Sequence, residues 1–266
     1  MLAEVLPHVR CPSCWARLDL AGTALRCAAG HTFDIARQGY AQLTAGPLRH
    51  TGDTAAMVAA RVAFLATGHY AFVAGALARA APAGGLVVDA GAGTGYHLAA
   101  LLDARPDAVG LALDASKAAA RRAARCHPRV AAAVCDTWAR LPVADGAASL
   151  VLNVFAPRNG TEFRRILAPD GVLLVVTPAA DHLAELVEPL GLLRVDPSKE
   201  DRTAAALPGF RRTGRDRLAA TLRLRRDELR ALVAMGPNAW HDAPAPAGPL
   251  DVTAAVELGR WVPSGG

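Results

Sequence analysis

The stretch from Leu86 to Leu102 leaves this chain few ways to fold. Leu86-Val87-Val88 is a short apolar run without alternation, as a strand buried on both faces requires. Asp89-Ala90-Gly91-Ala92-Gly93-Thr94-Gly95 then puts a glycine at every second position, and helical spacing resumes from Tyr96 to Leu102. Glycines permit a tight turn and close approach of a ligand to the backbone at a helix amino end. Strand, glycine loop and helix in that order begin a parallel-sheet crossover, so the spacing predicts an α/β fold.

Further strands are expected at Val109 to Asp114, Val130 to Val134, Leu150 to Val154 and Gly171 to Thr177, with helices between them. Ligands of such sheets bind beyond the carboxyl ends of the strands, where Gly95, Asp114, Asp136 and Asn153 all fall. Two of these have ordinary alternatives: Asp136 as a turn cap and Asn153 as a partner of local backbone. Three glycine-loop chemistries compete. A phosphate loop needs Gly-Lys-Ser/Thr, whereas this chain has Gly95-Tyr96-His97. A dinucleotide loop expects a third glycine where Tyr96 stands. The remaining pattern, acid-x-G-x-G-x-G with a second acid nineteen residues after Gly95 at Asp114, resembles motif I of class I S-adenosylmethionine methyltransferases. That resemblance implies that Gly91, Gly93, Thr94 and Gly95 pass the methionine part of the cofactor and that Asp114 holds its ribose. A noncatalytic Rossmann-like fold is the other reading.

Ahead of the loop, Cys11-Pro12-Ser13-Cys14 and Cys27-Ala28-Ala29-Gly30-His31 spell C-x2-C-x12-C-x3-H. Two tight turns supplying four soft ligands close a tetrahedral Zn2+ site with no open position, so the metal is expected to be structural. An odd total of five Cys argues against a disulfide framework; the alternative is buried, unrelated thiols. His8 and His50 complete no paired turn. Helices are expected from Ala55 to Ala66, capped by Thr51 or Asp53 and with Arg61 near its polar edge, and from Tyr70 to Ala80. Pro82-Ala83-Gly84-Gly85 breaks the second helix. The expected organisation is a zinc-binding RNA-recognition module over 1–50, a helical connection over 51–83 and a methyltransferase domain over 84–266.

A chain of 266 residues with 52% hydrophobic and 20% charged residues can bury a large core, which excludes a disordered or collagen-like protein. No apolar stretch approaches the roughly 18 residues of a membrane helix, and Met1 to Arg10 lacks a signal peptide's hydrophobic region, so a cytoplasmic protein is expected. Lys occurs only at 117 and 199 among 29 basic residues, an Arg bias that codon usage alone can produce. Distribution says more. From Arg202 to Arg230 nine Arg stand against Asp216, Asp227 and Glu228, a local excess that suits either an anionic partner or a solvated face.

Taken in order, these motifs resemble the RlmA/TlrB family of 23S ribosomal RNA guanine-N1 methyltransferases, which includes a tylosin-resistance branch. The resemblance spans nearly the whole chain. It includes the four metal-ligand candidates, Phe33 to Tyr40, Thr51-Gly52-Asp53, Ala63 to Tyr70, Asp89 to Tyr96, Phe155-Ala156-Pro157, Thr177-Pro178 through His182-Leu183, and Met235 to Trp240. It implies a class I (Rossmann-like) fold with a mostly parallel seven-stranded sheet plus the zinc module. It also implies cofactor contacts from Tyr70, Gly93, Thr94 and His182, an RNA hairpin substrate, and a homodimer whose cleft takes the hairpin. Without it, Tyr70 reads as half-buried at a junction and His182 as an ordinary loop residue. Phe155 stands where relatives carry an aromatic at the start of Tyr-Ala-Pro. It keeps a stacking face for an unpaired guanine but lacks a hydroxyl, which excludes a catalytic phenol there.

Guanine N1 carries a proton in its neutral form, so methylation there requires orientation and proton removal. The sequence assigns no proton acceptor. Asp136 is expected to face the cofactor's adenine, Asn153 is no base at neutral pH, and Cys126 and Cys135 have no adduct to form. Asn153 is followed by Val-Phe-Ala, so the Asn-Pro-Pro-Tyr-type motif of amino-methylating enzymes is absent, which counts against exocyclic adenine or glutamine methylation. Arg17, Arg26, Arg37, Arg49, Arg211 and Arg212 are the candidate phosphate contacts. Two other classes stay open: a small-molecule methyltransferase of antibiotic biosynthesis, and a noncatalytic zinc-bearing RNA-binding protein.

Overall fold

A computed structural model describes residues 3–50, 52–187, 203–236 and 249–264. The N-terminal segment opens with a three-stranded antiparallel sheet, β1 (Leu18–Ala21), β2 (Ala24–Cys27) and β3 (Thr32–Asp34), followed by β4 (Tyr40–Gln42). Two helices come next, α1 (Ala55–Leu65) and α2 (Ala71–Ala80). The remainder runs β5 (Gly85–Ala90), α3 (Tyr96–Ala104), β6 (Ala108–Asp114), α4 (Lys117–Ala123), β7 (Val130–Val134), β8 (Ala148–Val154), α5 (Gly160–Ile166) and β9 (Leu167–Pro178). It closes with β10 (Phe210–Leu224), a helix α6 (Arg226–Ala234) and β11 (Leu250–Pro263).

The main sheet has the order β10-β11-β9-β8-β5-β6-β7-β4. All neighbours from β9 to β4 pair in parallel, while β11 runs antiparallel between β9 and β10. The seven strands β5 to β11 make the mostly parallel sheet expected of a class I methyltransferase. An eighth joins from the N-terminal segment: Tyr40, Ala41 and Gln42 pair with Ala132, Ala133 and Val134 of β7. The residues assigned to a separate module over 1–50 therefore do not stop at a sheet boundary, and β4 covers what would be an open edge at β7.

The central strands read as apolar runs because both faces are covered: every residue of β7 and all but one end residue of β5 are buried. Side-chain caps start the helices around them. Thr54 Oγ1 accepts from the Met57 N–H at 3.2 Å, so α1 is capped there and not at Asp53, while Thr51, the other expected cap, lies outside the described residues. Ser116 caps α4 and Asn159 caps α5 in the same way. Among the described residues no helix is long and apolar enough to cross a membrane.

The metal-ligand segment packs directly against the sheet domain. Val5, Val9, Cys11, Leu25 and Cys27 share a buried cluster with Leu86, Val88, Leu111 and Leu141. The Arg10 N–H donates to Pro142 O at 3.0 Å and the Ala144 N–H to His8 O at 2.8 Å. Trp15, the residue after Cys14, carries the Arg140 guanidinium 3.7 Å above its ring centroid and the Arg165 guanidinium at 5.7 Å. Arg165 is itself fixed by Glu162, Asp145 and the carbonyls of Leu141 and Val143.

Candidate active site and metal centre

The four sulfur and nitrogen ligands converge. Cys11 Sγ lies 3.6 Å and Cys27 Sγ 3.4 Å from His31 Nδ1, Cys14 Sγ lies 3.6 Å from Cys27 Sγ, and all four ligand atoms fall within 4.8 Å of one another. Bond lengths of 2.0–2.3 Å in a tetrahedron require separations of about 3.5 to 3.8 Å, so these residues fit a Zn2+ ion. The hairpin geometry explains the fit. Cys27 ends β2, Gly30 turns the chain at φ +86°, and the Cys27 N–H donates to His31 O at 3.1 Å, which brings His31 back beside Cys27. Burial opposes ionisation of Cys27, but its contacts with Cys14 and His31 outweigh it and bring the thiol down to about 6, toward the thiolate that a metal binds.

At the carboxyl end of β5 the glycine loop turns toward α3. The Gly91 and Ala92 N–H groups donate to Leu113 O of β6 at 2.8 and 3.1 Å, which ties the loop to the neighbouring strand. Gly91 has φ +84°, and a Cβ there would lie 2.5 Å from the Ala156 methyl; Gly95 has φ +77°, and a Cβ there would lie 2.6 Å from Cys126 Sγ. Neither position admits a side chain. Asp114 Oδ2 accepts from the Gly93 N–H and Oδ1 from the Ser116 N–H, both at 2.8 Å. Burial pushes this carboxyl up, and those two N–H groups counter part of the shift. Arg61 extends from α1 over Gly93, held by Asp53 and by Met235 O at 2.7 Å.

Below the loop sits a group that the motif hinted at but that was not assigned a role from sequence. Asp89 is 2% exposed, its Oδ1 has no hydrogen-bond partner, and burial followed by repulsion from Asp114 raises it to about 7. An orphaned carboxylate oxygen at the first position of a cofactor loop suits the ammonium of an amino-acid-bearing cofactor. With the glycine cradle and Asp114 beside it, the site fits S-adenosylmethionine. The signal available in sequence was the acid heading acid-x-G-x-G; its burial was not.

On the β8 and β9 side, three aromatic rings meet. Tyr70, at the amino end of α2, lies 6.1 Å from Phe155 and 6.4 Å from His182, and Phe155 lies 6.0 Å from His182, between ring centroids. Phe155 directly follows β8, is 42% exposed and has φ +52°, a left-handed backbone that a bulky residue adopts only under constraint. The constraint is visible. The Phe155 N–H donates to Val176 O at 3.1 Å, and the buried Asn153 amide donates to Ala90 O at 3.3 Å and Pro157 O at 2.8 Å. His182 Nδ1 accepts from the Ala255 N–H at 3.2 Å, so the neutral ring carries its proton on Nε2, facing Tyr70 Oη at 3.4 Å. Burial pushes the Tyr70 phenol up, so it stays protonated. The same cause takes Cys126 up to about 12 and Cys135 upward, and neither thiol is a nucleophile.

Comparison with known proteins places this geometry. A zinc-ribbon family profile described as "RlmA, N-terminal" matches residues 9–46. The 23S rRNA (guanine(748)-N(1))-methyltransferase of Streptomyces fradiae is 55% identical over 251 residues, 92% of this chain and 90% of its own length. The chain belongs to the 23S rRNA (guanine-N1) methyltransferase family. A Micromonospora griseorubida protein provisionally named for that activity is also 55% identical, over 99% of this chain and all of its own. Among solved structures, a chain of the complex between the Haloferax volcanii Trm112 methyltransferase activator and a provisionally assigned methyltransferase superposes with a TM-score of 0.56. It covers 81% of this chain and 100% of its own at 21% identity, which speaks to the fold alone.

Within this guanine-N1 methyltransferase the expected basic surface is less bare than its linear count suggested. Arg215 pairs with Glu257 at 2.9 Å, Arg217 with Asp181 at 2.5 Å and Arg225 with Glu228 at 3.0 Å. The acids come partly from β11 and the turn after β9, far from the Arg run in sequence. Arg202 lies outside the described residues, as do positions 237–240 of the motif ending at Trp240. Arg17, Arg26, Arg37, Arg49, Arg211 and Arg212 are all exposed. Asp136 follows β7 at the same sheet edge as the glycine loop, where it meets His50 Nδ1 at 3.2 Å.

Proposed function

We propose that this chain transfers the methyl group of S-adenosylmethionine to N1 of a guanine in a hairpin loop of 23S rRNA. The observation that carries the reading is the exposed, conformationally constrained Phe155 ring beside Tyr70 and His182, one strand away from the glycine loop. An unpaired base stacks on such a ring, and the rigid strand ends hold it against the cofactor. The bound cofactor supplies an electrophilic methyl on a sulfonium. Gly91, Gly93, Thr94 and Gly95 would cradle it, Asp114 and Asp89 would meet its ribose and ammonium, and Tyr70 and His182 would close its methionine end. His182 has its Nδ1 lone pair engaged by Ala255 and its Nε2 protonated, and Tyr70 is a neutral phenol, so this pair orients and does not take the guanine proton. Loss of the N1 proton to water at the exposed side of Phe155 would leave the N1 electron pair to take the methyl as the S–CH3 bond breaks, with a neutral thioether as the leaving group.

The metal is read as Zn2+ held by Cys11, Cys14, Cys27 and His31, with the exposed arginines of this segment and Arg211 and Arg212 contacting phosphates. Residues 1–50, 51–83 and 84–266 are read as the RNA-gripping, connecting and catalytic parts of a cytoplasmic homodimer. The target is read as the guanine named for the S. fradiae relative, on the strength of 55% identity over 92% of this chain, with reduced macrolide (tylosin-type) sensitivity as the outcome in a host.

The test is transfer of labelled methyl from S-adenosylmethionine to protein-free large-subunit rRNA from a bacterium lacking the enzyme, with nucleoside mass spectrometry. The expected product is 1-methylguanosine, with a primer-extension stop at one guanine. Cofactor binding without RNA label, but with label on a small metabolite, overturns the RNA reading.

A further inference from the structure

Three large apolar side chains are exposed among the described residues, Leu20, Trp138 and Phe155. The last two project from the carboxyl ends of parallel strands at one edge of the sheet, Trp138 after β7 and Phe155 after β8. Trp138 is 51% exposed, and its loop is braced from several directions. Its N–H donates to Asp136 Oδ1 at 3.0 Å, and the Asn159 amide faces the carbonyls of Thr137, Trp138 and Ala139 at 3.2, 3.0 and 3.0 Å. The His50 ring, fixed to Asp136, lies 5.8 Å from the Trp138 ring at a 43° tilt. Exposed Arg49 precedes His50, and exposed Arg140 follows two residues after Trp138. A rigid, half-exposed indole beside an imidazole, on a loop flanked in sequence by exposed arginines, has the composition of a base-stacking platform on single-stranded nucleic acid, although the Arg140 guanidinium itself lies over Trp15.

We infer that Trp138, with His50 at its side, stacks an unpaired base of the substrate RNA other than the methylated guanine. The inference rests on the RNA reading above. The competing occupant is the cofactor's adenine. The observations favour RNA, because the Asp136 carboxylate that would meet an adenine amino group is already engaged by His50 at 3.2 Å and by the Trp138 backbone N–H at 3.0 Å. Strands β5 and β6 lie between β7 and β8, so the two aromatic loops stand three strand spacings apart, about 14 Å. A stacked single strand rising about 3.4 Å per nucleotide spans that in about four nucleotides. The base on Trp138 therefore lies within about four positions of the guanine on Phe155.

The experiment measures methyl transfer and binding with a synthetic hairpin by the full-length protein, its Trp138→Ala and Trp138→Phe variants, and abasic substitutions at each of the four positions on either side of the target. The expected result is a roughly five- to hundredfold rise in the RNA KM of Trp138→Ala, with the dissociation constant of S-adenosylmethionine and the melting temperature unchanged. Trp138→Phe recovers most of the loss. One abasic RNA reproduces the defect with the wild-type protein and adds nothing to it with Trp138→Ala. A weakened cofactor affinity with unchanged RNA KM assigns the ring to adenine and overturns the inference, as does a Trp138→Ala variant equal to wild type. An inactive wild type on this RNA overturns the underlying reading instead, a distinct result because the comparison among variants then has no activity to compare.

Discussion

The metal-binding ribbon and the methyltransferase sheet reach order by opposite routes. The sheet buries continuous apolar strands on both faces, and its cofactor loop is shaped by contacts too close for side chains at Gly91 and Gly95. The ribbon's three strands span only three or four residues each, and its order comes from four ligand atoms in two turns. Yet the two are not independent. Cys11 and Cys27 lie in the same buried cluster as Leu86 and Val88 of β5, the strand that leads into the glycine loop, Trp15 is clamped by Arg140 and Arg165, and β4 completes the sheet edge. A metal held by Cys11, Cys14, Cys27 and His31 would therefore stabilise more than its own hairpins.

The strongest way to break that comparison is to take the metal away. Structural zinc sites contribute on the order of 10 kcal/mol to folding of their modules, so chelation or Cys27→Ser should lower the melting temperature by about 10 °C or more. If the core is shared, calorimetry shows one transition displaced downward, with cofactor binding lost alongside. A separate low-temperature transition that leaves cofactor binding intact would show the ribbon to be a detachable module.

The contrast sharpens at Gly91. An alanine there takes a left-handed backbone and drives its Cβ into the Ala156 methyl, and such strain is worth about 1–3 kcal/mol before any ligand is displaced. Cofactor affinity is expected to fall about ten- to a hundredfold by calorimetric titration, with a much smaller loss of melting temperature than the metal-site variants show. Adding Ala156→Gly removes the overlap and leaves the φ penalty, so it should restore only part of the affinity. Full restoration would assign the whole effect to sterics.

What could be read from the residues follows the same division. The convergence of Cys11, Cys14, Cys27 and His31 and the turn of the glycine loop were legible because each is a local pattern whose spacing encodes its geometry. The strands β5 to β9 were legible because burial on both faces leaves unbroken apolar runs. What escaped depends on distant partners. Tyr40-Ala41-Gln42 is too short to carry a periodic signal, and only β7 makes it a strand. The Arg run of β10 looked unneutralised because Glu257 and Asp181 arrive from elsewhere. Tyr70 and His182 meet across 112 residues, so family resemblance and not spacing brought them forward. The cap of α1 was expected at Thr51 or Asp53 and falls at Thr54, while the Asp53 carboxylate is engaged with Arg61.

The subtlest difference between the two regions lies in protons. In the ribbon the Cys27 thiol is lowered toward its ionised form while the neighbouring Cys14 thiol is raised, whereas under the glycine loop burial favours a neutral acid at Asp89. Burial first, and repulsion from Asp114 second, hold Asp89 near 7, against an ordinary value of 3.8. The folded protein without cofactor therefore binds a proton that the unfolded chain has released. Its stability falls as pH rises from about 4 to about 7 and is level above that. A cationic ammonium on the same carboxylate reverses the preference, because only the anion pairs with it. Affinity for S-adenosylmethionine should rise with pH by up to about tenfold per unit below 7 and flatten above it. Asp89→Asn should flatten both profiles, binding weakly at every pH while gaining stability near neutrality. If the affinity profile of Asp89→Asn keeps its slope, the titrating group is elsewhere, and the orphaned oxygen under the loop has no part in holding the cofactor.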